Sequence, residues 1–227
     1  MDFQGITLFD STFEAAFKTL TELKILSLNE NLLSMMPDGH EKIIESYFVT
    51  PVNLEELYLN HNKLSFVTKD LFSNLSKLKR LGLGGNEITS IDAEAFQNNG
   101  ELTELFLHNN RISWLASDIF SLLSNLEILR LYNNHLGSIR ADLLRGNTEL
   151  TELYLYSNRI TILEESAFSS LTKLKKLWLQ ENRINEITNQ HFKNNTELAE
   201  LDLNYNKIRI IDSNAFKFNH KLNILQL

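Results

Sequence analysis

Three groupings of residues in this chain are of types that can do chemistry. The first is histidine, at positions 40, 61, 108, 135, 191 and 220. Imidazole binds metals and moves protons near neutral pH, but these six show no metal-ligand spacing. His108 and His135 fall on adjacent copies of the repeat described below, with no acid and no third ligand placed beside them. The second grouping is Gly82-Leu83-Gly84-Gly85-Asn86. A glycine-rich loop cradles phosphate where it follows a strand and opens a helix, and this one lies within a strand and its turn. The chain has no cysteine and no Gly-x-Ser-x-Gly elbow, so neither a thiol nor an activated serine nucleophile is indicated. The expectation is a protein that is not an enzyme and uses no cofactor and no metal. The third grouping is aromatic and basic: Tyr58, Phe106, His108, Arg130, Tyr132, Tyr154, Tyr156, Trp178 and Arg183. Tyr, Trp and Arg are enriched where proteins bind one another, so the chemistry indicated is recognition.

A repeat must position these residues. Asparagine recurs at 62, 86, 110, 134, 158, 182 and 206, a period of 24, and leucine keeps the same beat from 54 to 222. One copy of the shared phrase is Leu102-Thr-Glu-Leu105-Phe-Leu107-His-Asn-Asn110-Arg-Ile112. A fixed period of about 20–50 residues marks a repeat architecture. Leu105 and Leu107, two apart, share one face of a strand. One unit cannot bury them. Stacked copies pair their strands in parallel and bury the leucines in a continuous core. Phe72, Phe96, Phe120, Phe168, Phe192 and Phe216 fill the return limb, with Leu144 as the one substitute. An asparagine among core leucines would cost about 1–3 kcal/mol if unpaired. Asn31, Asn62, Asn86, Asn110, Asn134, Asn158, Asn182 and Asn206 are therefore expected to form a structural ladder, bonding backbone groups of the turns that leave each strand.

The chain reads as a single domain. Residues 1–22 form a degenerate first repeat or cap, 23–53 an irregular repeat with an insert, 54–221 seven 24-residue repeats, and 222–227 the start of another. The insert, Pro37-Asp38-Gly39 followed by Ile43, Ile44, Tyr47 and Phe48, has helical spacing and a start signal. Leu75, Leu123 and Leu171 alternate with Asn99, Asn147 and Asn195, and glutamate recurs in every second repeat at 56, 104, 152 and 200. This alternation reads as the trace of a duplicated two-repeat unit.

The phrase resembles the leucine-rich repeat family, in the 24-residue form of Toll-type receptor ectodomains and other animal extracellular proteins. The fold expected is α/β: a right-handed horseshoe solenoid with a concave parallel sheet and loops or short helical turns outside. The resemblance further implies that a macromolecular partner binds the concave face. The absence of cysteine departs from the family, whose extracellular members usually end in cysteine-rich caps. That absence, with the stop inside a repeat at Leu227, favours a piece of a longer secreted protein or ectodomain. A complete capless secreted protein and a cytoplasmic protein are the alternatives.

Two columns of exposed strand positions carry the recognition residues. One runs Ser27, Tyr58, Gly82, Phe106, Arg130, Tyr154, Trp178, Asp202, and the next Asn29, Asn60, Gly84, His108, Tyr132, Tyr156, Gln180, Asn204. The glycines bare one repeat and leave a dip that could seat a partner's side chain. Lys63, Arg111, His135, Arg159, Arg183 and Lys207 make a basic column just past the asparagines, broken by Glu87. The net charge of −7 argues against broad nucleic-acid binding, which needs a basic footprint. No apolar run reaches the roughly 20 residues of a membrane span. Asn74 and Asn194 begin glycosylation triplets, which this Asn-, Ser- and Thr-rich composition supplies by chance. The function expected is recognition of a protein partner, in extracellular innate immunity or adhesion. An intracellular scaffold or adaptor and a glycan-binding, lectin-like protein are the alternatives. Exposed leucines at 222, 225 and 227 add an expectation of self-association through the C-terminal edge.

Overall fold

Leucines two apart on a strand can be buried on one face only if something covers that face, and in this protein each repeat covers the next. The computed structural model describes residues 19–34 and 53–227. In chain order the strands are β1 (Ile25–Ser27), β2 (Glu56–Tyr58), β3 (Phe66–Val67), β4 (Arg80–Gly82), β5 (Ser90–Ile91), β6 (Glu104–Phe106), β7 (Ile128–Arg130) and β8 (Ser138–Ile139). They continue as β9 (Glu152–Tyr154), β10 (Ile162–Leu163), β11 (Lys176–Trp178), β12 (Glu186–Ile187), β13 (Glu200–Asp202), β14 (Ile210–Ile211) and β15 (Ile224–Gln226). A nine-stranded sheet runs β1-β2-β4-β6-β7-β9-β11-β13-β15. Its strands pair in parallel and in register, so Leu57, Leu81, Leu105, Leu129, Leu153, Leu177 and Leu201 stand side by side. All seven are fully buried.

The return limb corrects the expected fold class. No helix occurs among the described residues, and the architecture is an all-β solenoid, not an α/β horseshoe. Three two-stranded parallel sheets, β3-β5, β8-β10 and β12-β14, form on the limb. The remainder descends in tight turns closed by i→i+3 bonds, as where the Asn99 amide donates to the Phe96 carbonyl and the Leu102 amide to the Asn99 carbonyl, both at 3.0 Å. A helix needs a run of i→i+4 bonds. The limb's amides instead reach carbonyls three residues back or in the preceding repeat, as where the Asp92 amide donates to the Val67 carbonyl at 2.9 Å. The helical spacing read over Pro37–Phe48, and residues 1–18 of the degenerate first repeat, lie outside the described residues.

Phenylalanines at one position of six repeats stack in register, in two runs. Phe72, Phe96 and Phe120 follow one another at 6.3 Å between ring centroids. Phe168, Phe192 and Phe216 do the same at 6.2 and 6.1 Å. Leu144, buried, bridges the gap between the two runs.

The asparagine ladder satisfies the turn that leaves each strand. The Asn134 side-chain amide donates to the Leu107 carbonyl of the preceding repeat at 2.9 Å and to its own Leu131 carbonyl at 3.1 Å. Its side-chain oxygen accepts the Ile112 amide at 2.9 Å. Asn62, Asn86, Asn110, Asn158, Asn182 and Asn206 each repeat this pattern. Asn31 bonds the Leu28 carbonyl at 3.0 Å. Each of the seven asparagines from Asn62 to Asn206 thus ties its own turn to the turn before it.

The residue preceding each ladder asparagine is left-handed. Glu30, His61, Asn109, Asn133, Ser157, Glu181 and Tyr205 have φ between 52 and 57°, and Gly85 has 68°. A non-glycine residue held there costs about 1 kcal/mol or more. The conformation nonetheless keeps the backbone ladder running, since the Asn133 amide still donates to the Tyr156 carbonyl of the next repeat at 2.9 Å.

A second asparagine ladder lies on the return limb, at positions where the sequence shows only an alternation. The amide of Asn147 donates to the Phe120 and Leu123 carbonyls at 2.9 and 3.0 Å. Asn99, Asn195 and Asn219 do the same to the repeat before each of them. At the far end of the sheet, β15 pairs only with β13, and Ile224, Leu225 and Leu227 are exposed.

Replacing Asn134 with Ala should cost about 1–3 kcal/mol, because buried turn groups lose their partners while the leucines on either side remain. Urea unfolding of the variant beside the wild type measures it. An unchanged midpoint would mean that water serves these groups as well as asparagine does.

Candidate functional site on the exposed face of the sheet

Strand alternation sends the leucines inward and their neighbours outward. The outward residues of adjacent strands stand at the interstrand spacing of about 4.8 Å. Flat side chains at one position of successive repeats are therefore at stacking distance. His108 lies on Tyr132 at 4.6 Å and Tyr132 on Tyr156 at 4.4 Å, with interplanar angles of 20° and 7°. In the neighbouring column Tyr154 meets Trp178 edge to face at 5.0 Å. Trp178 also lies 6.0 Å from Tyr156, which joins the two columns. Phe106 abuts His108 at 6.4 Å. The Arg130 guanidinium sits over the Phe106 ring at 4.4 Å and 5.8 Å from Tyr154. The structure thus brings Phe106, His108, Arg130, Tyr132, Tyr154, Tyr156 and Trp178 into one array of half-buried side chains.

Two of the sequence-derived residues stand apart from it. Tyr58 lies beyond the glycine-bearing strand β4 and bonds its hydroxyl to Glu56 at 2.8 Å. Arg183 is exposed past the turn after β11, with no ring contact or ion pair among the described residues. The dip expected over the glycines is occupied. A Cβ at Gly82 would meet the Asn60 side chain, at Gly84 the His108 ring and at Gly85 the His61 ring. Gly82 and Gly84 are consequently buried. The glycines make room for their neighbours' side chains, and His108 leans into that room from the end of the ring stack.

The sequence shows the alternate-repeat glutamates as an acidic edge opposite the basic column, and gives no sign that they brace the array. Tyr154 donates its hydroxyl to Glu152 at 2.5 Å, and the Trp178 indole nitrogen donates to Glu200 at 3.1 Å. Arg80 bridges Glu56 and Glu104 at 2.6 and 2.8 Å. The available signal was the alternate-repeat glutamate, which places a carboxylate two residues before Tyr58, Phe106 and Tyr154.

Burial governs ionisation here. His108 is pushed down to about 4 by burial, then by the nearby positive charges of Arg130 and His61. Burial and then the Glu56 bond raise Tyr58 to about 12. Burial and then Tyr132 raise Tyr156 to about 12. Tyr154 is raised by burial and by Glu152. On the return limb His191 is lowered by burial. Its Nδ1 accepts the Thr188 amide at 3.0 Å and its Nε2 faces the Leu163 carbonyl at 3.1 Å, the pattern of a neutral structural imidazole. On the outer edge, hydrogen bonds from Lys79 and Lys24 hold Glu55 down to about 2.

Among the described residues no cluster of His, Asp or Glu could hold a metal ion, and no helix is long and apolar enough to cross a membrane. Asn74 is exposed, and Asn194 is exposed with its amide donated to the Ser169 carbonyl at 3.1 Å.

The direction of the His108 shift sets a pH dependence. The folded state holds the imidazole neutral down to about 4, whereas the unfolded chain takes up its proton near 6.5. Between those values the unfolded state binds more protons, so stability falls as pH falls. The melting temperature should therefore drop between pH 6.5 and 4, and His108→Phe should flatten that slope. The further loss tied to Glu55 belongs to a lower window, from 4.5 to about 2. Equal slopes for wild type and variant above pH 4.5 would show that His108 titrates as it does in the unfolded chain.

A sequence model of the leucine rich repeat family matches residues 52–112, 124–184 and 172–227. The leucine-rich repeat transmembrane protein FLRT2 of Homo sapiens is 34% identical over 77 residues, 34% of this chain and 10% of that protein. Lumican of Homo sapiens is 33% identical over 79 residues, covering 35% of this chain and 20% of lumican. Among solved structures, the TLR13–ssRNA13 complex superposes with a TM-score of 0.70 at 27% identity, over 94% of this chain and 34% of that one. The glycosylated Toll–Spatzle complex of Drosophila gives 0.74 at 25% identity, over 93% of this chain and 31% of that one. The chain thus spans about a third or less of each of these four proteins. With the 24-residue phrase, the parallel solenoid and the family match over most of its length, the chain belongs to the leucine rich repeat family.

Proposed function

We propose that this chain is a protein-recognition module that engages its partner with the exposed face of the nine-stranded sheet. The setting proposed is extracellular, in innate immunity or adhesion. One observation carries the reading: a continuous array of large rings on the solvent side of a sheet whose core lies entirely on the other side. Folding needs no such array there, since the leucines already bury the inner face. Contiguous half-exposed aromatics braced by hydrogen bonds are what hot spots consist of, because rigid rings give contact area at little entropic cost.

The stacking also favours one class of partner. His108, Tyr132 and Tyr156 cover one another's faces, so what they offer outward is chiefly ring edge. Sugars and nucleobases are gripped by open ring faces. Ring edges, hydroxyls and one arginine suit the mixed polar and apolar surface of a protein. The Toll–Spatzle complex is a precedent for the fold; the TLR13–ssRNA13 complex is the nucleic-acid counterpart. A chain of net charge −7 fits the first better than the second.

Tyr156→Ala combined with Trp178→Ala should abolish partner binding, at a cost of about 2 kcal/mol or more per hot-spot ring, while circular dichroism stays unchanged. Arg183→Ala, outside the array, should mainly slow association and reduce its salt dependence. Surface plasmon resonance against a partner captured from extracellular fluid reads both. Full affinity in the folded double variant would refute the face as the binding surface.

A further inference from the structure

Almost every charge on the exposed face of the strands is already spent. Among the described residues the carboxylates there are Glu56, Glu104, Glu152, Glu200 and Asp202. Glu56 and Glu104 share Arg80. Glu152 takes the Tyr154 hydroxyl and pairs with Lys176 at 3.4 Å. Glu200 accepts from Trp178, and Asp202 accepts the Asn204 amide at 2.9 Å. Of the three cations among them, Arg80 and Lys176 are thereby paired. Arg130 is the third, and among the described residues its guanidinium makes no ion pair and no hydrogen bond. Its strand, β7, is the middle one of the nine. Two residues before Arg130 stands Ile128, where the strands on either side have Glu104 and Glu152. The position from which this chain would neutralise the arginine is apolar.

We infer that Arg130 receives a carboxylate of the partner, an Asp or Glu side chain presented on an exposed loop or extended segment. This rests on the reading of the face as a protein-binding surface and names the chemistry at its centre. A guanidinium laid over an aromatic ring keeps its N–H fork in its own plane, free for two parallel bonds to a carboxylate. Phe106 on one side and Tyr154 on the other hold that fork in place before any partner arrives. The rings exclude water once the partner docks, which strengthens the charge-assisted bonds. Beyond the turns, Arg159 and Arg183 are exposed and also lack acidic partners among the described residues. These rim cations would speed the approach of an acidic segment, against the opposing charge of the exposed Glu181 beside them.

Random linear peptides displayed on phage can be selected on the whole chain and, in parallel, on Arg130→Gln, Arg130→Lys and the Tyr156→Ala, Trp178→Ala protein, each first shown by melting to be folded. Single-stranded oligouridine is titrated against the same set. Peptides enriched on the wild type should share an Asp or Glu. Changing that residue to Asn or Gln should weaken binding at least about tenfold on the wild type, hardly at all on Arg130→Gln, and by an intermediate factor on Arg130→Lys. The inference is overturned if no acidic residue is enriched, if the amide change costs as much on Arg130→Gln, or if oligouridine is the ligand that Arg130→Gln releases. Peptides without an acid that are lost on the Tyr156→Ala, Trp178→Ala protein would sink Arg130's role and leave the face standing. Peptides that still bind that double variant would sink the face itself.

Discussion

Backbone satisfaction at the turn is the constraint on which this molecule depends. Each repeat leaves its strand through a left-handed residue, and the turn so made would bury backbone groups beside the leucine core. From Asn62 to Asn206 each such turn is closed by one asparagine that donates to its own turn and to the previous repeat and accepts one bond from there. An asparagine has both an amide donor and a carbonyl acceptor at one end of a short side chain. Aspartate lacks the donor, and glutamine has a longer stem to order. The backbone strain of about 1 kcal/mol or more at each left-handed residue is tolerated because the bonds it permits tie two repeats together. Stability in such a stack is a sum over neighbours, and the ladder contributes polar bonds to each of those terms from Asn62 to Asn206.

The same geometry builds the recognition face without further design. Parallel strands in register repeat at about 4.8 Å, which is also a comfortable distance for offset rings. An aromatic placed at one outward position of successive repeats therefore stacks on its neighbour. That happens at His108, Tyr132 and Tyr156. Where the chain puts glycine at that position, the stack ends and the next side chains fall into the gap, as His108 and Asn60 do over Gly84 and Gly82. Recognition chemistry can be rewritten one repeat at a time, because the residues that hold the fold all point the other way.

Braced charges complete the face. The alternate-repeat glutamates hold tyrosine and indole donors and arginine and lysine cations, which orders the rings and leaves one arginine unspent at the centre. A surface whose strand carboxylates are all engaged leaves its unengaged groups for a partner, and among the described residues these include Arg130 and the ring edges.

Much of this was legible in the chain. The period of 24, the inward leucines, the asparagine ladder positions and the outward columns follow from spacing alone, since a strand alternates every two residues and one short unit cannot bury itself. The membership of Tyr132, Tyr154, Tyr156 and Trp178 in neighbouring columns was equally readable. What spacing could not give was the form of the return limb. A limb of turns and two-residue strands has the same inward phenylalanine as one with a helical turn, and the choice rests on backbone bonds to the repeat before. Nor could it show that Asn99, Asn147 and Asn195 form a second ladder, because an alternation of Leu and Asn says nothing of which carbonyls lie within reach. The glycine dip read as open space because a sequence shows which side chains are missing and not which neighbours lean in. That Arg130, of the described strand cations, has no acid is likewise a tertiary fact. It depends on which glutamate each hydroxyl, indole and amine reaches across strands 24 residues apart.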